Sequence, residues 1–187
     1  MERRKGQIIV GSLEEAQAHE ARVLSNALCA TEVLGSLLNK ESGAHVLLRL
    51  KFEPLGFDPF GDGRGLNLIE QINQSFTYLV SLRAAEYLLA QHPEATPLRL
   101  NPGARRGWDI HSDDLSVIAE TFAAVRPENN RKLIKDVERV ASAPAAFRYV
   151  IYSSSFPPLK QIERPGVIVK RIPAATLLDT SRPLRFA

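Results

Sequence analysis

Two carboxylates stand in this sequence where carboxylates are costly. Glu120 interrupts the apolar run Val117, Ile118, Ala119, Phe122, Ala123, Ala124 and Val125. A carboxylate in a buried strand requires a cation, a metal or a dense set of hydrogen-bond donors. Asp109 alternates with Trp108 and Ile110 in a segment of strand character, from which Asp is otherwise depleted. Between the two, Ser112-Asp113-Asp114 reads as a turn, so adjacent antiparallel strands would bring both carboxylates to one edge of a sheet. Together with a backbone carbonyl they offer the hard oxygen ligands that Mg2+ prefers, and an ion so held activates water and offsets charge on a leaving oxygen. A salt bridge to an arginine is the alternative fate of Glu120.

The elements that must position this pair follow from periodicity and turn chemistry. Ser12 with Glu15 has the form of a capping box, and Leu24, Leu28, Leu34 and Leu38 then recur at helical spacing towards Lys40, which predicts a long first helix. Residues 45–52 alternate enough to suggest a strand, and residues 53–65, rich in proline and glycine, read as a loop without phosphate-binding spacing. Asn67 and Glu70 repeat the capping pattern. They open a helix with Ile69, Ile72, Phe76, Val80 and Tyr87 on its apolar face and Glu70, Asn73, Gln74, Thr77 and Ser81 opposite, ending near Gln91. The period then changes to two. Leu98–Leu100, 106–111 and 115–125 are predicted strands, followed by a helix carrying Leu133, Ile134, Val137 and Val140 and by strands at 147–152 and 167–172. The tail after Pro173 is expected to be loosely attached. Hairpin-linked strands followed by a helix and a returning strand point to an α/β (α+β) fold with a mixed central sheet flanked by helices.

This order, αβββαβ with an acid in the first helix, an Asp at the second strand and a Glu on the third, resembles the core of the PD-(D/E)XK, or restriction-endonuclease-like, nuclease superfamily. The resemblance covers about residues 66–172 of a single domain over 1–187, with 1–65 as an N-terminal helix and strand elaboration and 173–187 as a tail. It matches Glu70 to the helix acid, Asp109 to the strand Asp and Glu120 to the third-strand Glu. Where the pattern has Lys, this chain has Phe122, whose ring cannot orient or deprotonate water. Some members carry the lysine on a neighbouring element, which makes Lys132 the substitute and Lys135 the reserve. The resemblance thus implies metal-dependent hydrolysis of phosphodiester bonds in DNA, with RNA as the other substrate. Asp109 and Glu120 would hold Mg2+ or Mn2+, Glu70 would assist through water or order the site, and Lys132 would stabilise developing charge. The alternative it implies keeps the fold without the reaction, as a nucleic-acid-binding or assembly module.

Simpler roles compete with these. Glu70 can serve its helix cap alone, and Lys132 can pair along its helix with Glu128 or Asp136. Arg105 and Arg106, close to Trp108, would contact phosphate and stack on a base, and Arg131 and Lys135 would add a basic stripe with Lys132 and Arg139. A net charge of +3 permits such a patch without demanding it. With one cysteine, Cys29, in apolar company, the sequence is read as carrying a buried thiol in a reducing compartment. No stretch approaches a membrane span, and the chain is expected to be cytoplasmic. The leucine stripe of the first helix suits a homodimer or a partner protein as well as the chain's own core.

Overall fold

The structure, a computed structural model, describes residues 7–61, 63–101, 107–160, 162–179 and 186. In chain order its elements are β1 (Ile8–Val10), α1 (Leu13–Lys40), α2 (Ala44–Phe52), the hairpin β2 (Gly56–Phe57) and β3 (Gly65–Leu66), and α3 (Leu68–Gln91). There follow β4 (Leu98–Leu100), β5 (Ile110–Ser112), β6 (Val117–Ala124), α4 (Lys132–Ala141), β7 (Phe147–Ser154) and β8 (Ile168–Pro173). The six-stranded sheet has the order β1-β4-β5-β6-β7-β8. Its first four strands pair antiparallel, and β6, β7 and β8 run parallel. The fold is therefore mixed α and β with a mixed central sheet, as the sequence predicts.

Two apolar layers cover the sheet. On one face α3 packs with α1 over Val80, Leu82, Leu98, Ala119 and Ile151. On the other, Leu133, Val137 and Val140 of α4 meet Ile118, Phe122, Val150 and Tyr152. Alternation along β6 thus sends Ala119 and Thr121 towards α3, and Ile118, Glu120 and Phe122 towards α4. Among the described residues no helix is long and apolar enough to cross a membrane.

Several expectations are corrected. Residues 45–52 form a helix, α2, rather than a strand. Their alternation is broken by Leu47-Leu48, leucine, arginine and lysine favour helix, and Arg49 ties Glu53 one turn on at 2.6 Å. The segment 53–65 is not purely a loop, since it holds the β2–β3 hairpin. On α1 the buried stripe is Ala16, Glu20, Val23, Asn26, Ala30 and Leu37, while Leu28, Leu38 and Cys29 are exposed. The capping pattern at its start is half formed: Ser12 accepts from the Glu15 N–H, but the Glu15 carboxylate accepts from Gly11.

The buried face of α3 matches the expected apolar stripe only in its second half, where Val80 is buried and Tyr87 packs against the core. Ile69, Ile72 and Phe76 are exposed, and Gln71, Ser75 and Ser81 are buried. These polar side chains find partial partners on the neighbouring helix and strand, with Asn26 Nδ2 and Gln71 Oε1 left without a hydrogen bond. Gln71 Nε2 donates to Asn26 Oδ1 at 2.8 Å, and the Ser81 and Thr121 hydroxyls meet at 2.7 Å. Burial of polar groups is tolerated when each finds a partner. The C-terminal tail is likewise anchored: Leu177 is buried, and Phe186 packs edge-on against Tyr87 at 4.7 Å.

Candidate active site

Asp109 immediately precedes β5, opposite Glu120 on β6 by extension of the strand register. Its backbone carbonyl accepts from the Asn101 N–H at 2.7 Å, and Asn101 Nδ2 donates to the Trp108 carbonyl at 3.1 Å. Its side chain then accepts from the Thr121 N–H at 2.8 Å. The carboxylate so takes the place of a ladder acceptor, which fixes it beside Glu120.

Glu120 is 1 % exposed and faces α4. Three α4 side chains spaced by four and then three residues, Lys132, Asp136 and Arg139, line up over it on one helical face. Lys132 Nζ lies 2.8 Å from Asp136 Oδ1 and 5.6 Å above the Phe122 ring. Phe122 in turn stacks on Tyr152 at 5.1 Å. Arg139 Nη1 lies 2.8 Å from Glu120 Oε1, its other terminal nitrogen donates to the Gly107 carbonyl, and its guanidinium lies 4.9 Å over Trp108. Gly107 presents that carbonyl from φ +125, a conformation open to glycine and strained for other residues.

The electrostatics follow from this crowding. Burial raises the Glu120 carboxyl to about 8, the neighbouring Asp109 charge adds to the shift, and Arg139 opposes it. Asp109 is raised by burial, against the Thr121 N–H and the Lys132 charge. Asp136 is raised by burial, against Lys132. Three carboxylates thus face two cations, and burial pushes each carboxyl towards its protonated form. Two oxygens stay without a hydrogen bond in this buried space, Glu120 Oε1 and Asp136 Oδ2. The first has Arg139 within ion-pair distance but not aligned as a donor.

The structure thus brings together Asp109, Glu120 and Lys132 of the residues singled out in the sequence. It does not bring Glu70 to them. That side chain completes a capping box with Asn67 and pairs with Arg64 at 3.4 Å, and among the described residues no contact joins it to the carboxylates. Arg131 and Lys135 are exposed on the start of α4, and Arg105 and Arg106 lie outside the described residues. Asp136 and Arg139 are the members that sequence reasoning missed as site residues. Their signal was present in the spacing of Lys132, Asp136 and Arg139, which places alternating charge on one helical face.

The donor set suits a hard divalent ion, because it consists of carboxylate oxygens, two of them buried without hydrogen bonds. Among the described residues, however, no three His, Cys, Asp or Glu side chains form a ready metal-binding group. The chain matches no protein-family model, no curated protein and no solved structure.

Proposed function

We propose that the chain is a metal-dependent nuclease-like protein that hydrolyses phosphodiester bonds, in DNA before RNA, on a restriction-endonuclease-like core. The observation that carries this reading is the Lys132 ammonium over the ring of Phe122, next to Asp109, Glu120 and Asp136. A cation displaced from the strand onto the following helix returns in space to the strand position that lacks it. The order α3, β4, β5, β6, α4, β7 with β6 and β7 parallel supports the same reading.

Asp109 and Glu120 would hold Mg2+ or Mn2+, with Asp136 as a further oxygen donor. Such an ion, when bound, supplies Lewis acidity and a more acidic water. The chain's own residues do the rest. The Thr121 N–H keeps the Asp109 carboxylate aimed, Asp136 orients Lys132, and Lys132 stabilises charge developing on phosphoryl oxygens. Arg131, Lys135, Arg105 and Arg106 would hold the backbone of the nucleic acid. Glu70 contributes by fixing the start of α3.

A second reading, an inactive nuclease-fold binding or assembly module, is favoured by Phe122 in the lysine position and by Arg139 on Glu120. Cleavage of single- and double-stranded DNA and RNA with Mg2+ or Mn2+ separates the two. Asp109→Ala and Glu120→Ala are each expected to lower the rate by at least about a thousandfold, and Lys132→Ala by roughly a hundredfold. A folded wild type that cleaves none of these substrates sinks the catalytic reading. Salt-dependent binding of the same nucleic acids would then mark the second.

A further inference from the structure

We infer that Arg139 is a built-in counter-cation that holds Glu120 in the metal-free protein and must let go when a divalent ion binds, its guanidinium shifting over Trp108 as it does. The inference rests on the metal site proposed above and adds a positioning residue that regulates entry to it.

The argument begins with the two ends of the ion pair. Glu120 is fully enclosed in β6, which is hydrogen-bonded to β5 and β7, so its carboxylate cannot follow a departing partner. Arg139 is the mobile end, because its side chain is 45 % exposed and can swing without opening the core. A buried carboxylate stripped of every cation is strongly destabilising. In the metal-free fold Arg139 supplies the cation nearest this oxygen.

The contact is also built to be released. At 2.8 Å the Arg139 nitrogen is close to Glu120 Oε1, yet that oxygen accepts no hydrogen bond of good direction. The guanidinium has two further contacts, with the Gly107 carbonyl and the Trp108 ring. An arginine stacked on an aromatic face retains that attraction when its ion pair is lost. Guanidinium and divalent ion cannot share one carboxylate oxygen without like-charge repulsion. Binding is thus competitive.

Trp108 is the chain's one tryptophan, so it reports the exchange. The test follows Mn2+ binding by the loss of its free-ion EPR signal and Mg2+ binding by Trp108 emission, in the wild type, Arg139→Gln, Lys132→Gln and Glu120→Gln. Arg139→Gln is expected to bind Mn2+ about tenfold more tightly than the wild type. Lys132→Gln, which removes a nearby charge that does not touch Glu120, gains less. Mg2+ shifts Trp108 emission in the wild type but not in Arg139→Gln, and Glu120→Gln loses the ion in each background. Arg139→Lys keeps a cation on Glu120, stays folded and binds with an affinity nearer the wild type, which covers the case of an unfolded glutamine variant.

Equal Mn2+ affinity in wild type and Arg139→Gln, or an unchanged wild-type Trp108 emission at saturating Mg2+, overturns the role of Arg139 and leaves the metal site standing. Absence of Mn2+ binding from the wild type and every Arg139 variant overturns the metal site, and the inference with it.

Discussion

Away from the site, Glu20 carries a second consequence of burial at the scale of one residue. It is 2 % exposed at the contact of α1 with α3, 3.9 Å from Arg83, which also donates to Glu86 at 2.7 Å. Burial lifts its carboxyl from 4.5 to about 7, Arg83 opposes the shift and Glu86 adds to it. The folded state therefore binds more protons than the unfolded chain in that window, and stability falls as pH rises through it. A shift of this size is worth on the order of 3 kcal/mol. The urea midpoint is expected to fall between about pH 5 and pH 8, and Glu20→Gln should flatten the fall. A midpoint with the same pH slope in both proteins would remove Glu20 as its source. Residues of this kind differ in how legible they are. Asp109 and Glu120 stand out in the sequence because each breaks a strand pattern. Asp136 and Arg139 show only as alternating charge on one helical face, and for Glu20, in a helix rich in charge, nothing distinguishes a buried carboxylate from a solvated one until the neighbouring element is in place.

At the scale of elements, the start of α3 separates structure from chemistry. Asn67 accepts from the Glu70 N–H at 3.0 Å and the Glu70 carboxylate accepts from the Asn67 N–H at 3.1 Å. Asn67→Ala is expected to lower stability by about 1 kcal/mol and to leave cleavage by the folded fraction unchanged. Glu70→Gln, which retains a side-chain acceptor for the cap, should leave both nearly unchanged. If it abolished cleavage in a folded protein, the acid at this helix would act in the reaction after all. The cap was legible because it depends on neighbours three residues apart, and so were the end of α3 and the course of β6, α4 and β7. The buried faces were not. Periodicity identifies an apolar stripe, but the facing sides of α1 and α3 bury small and polar residues, Ala16, Ala30, Asn26, Gln71 and Ser75, whose polar members pair only with one another and only in part. The strand assigned to 45–52 failed for a related reason, since a short apolar run is compatible with either period.

For the whole molecule, the N-terminal segment is part of the architecture. β1 adds an edge strand to β4, burying Ile8 and Val10, and α1 covers α3 with Val23 in the shared core. Removing residues 7–40 would bare the β4 edge and a helix face together, and unpaired edges promote association. The truncated chain is expected to lose its cooperative melt and to elute as aggregate in size-exclusion chromatography. A soluble monomer with an intact melt would show that the remainder folds alone. The pairing of β1 with β4 also orders events in time. Ile8 lies opposite Leu100, so the first strand has no partner until the ribosome has delivered the far end of α3 and the strand beyond it. At cellular elongation rates that delay is on the order of ten seconds. Throughout it β1 has no strand partner, and closing so long a loop adds an entropic cost to its pairing that local contacts do not carry.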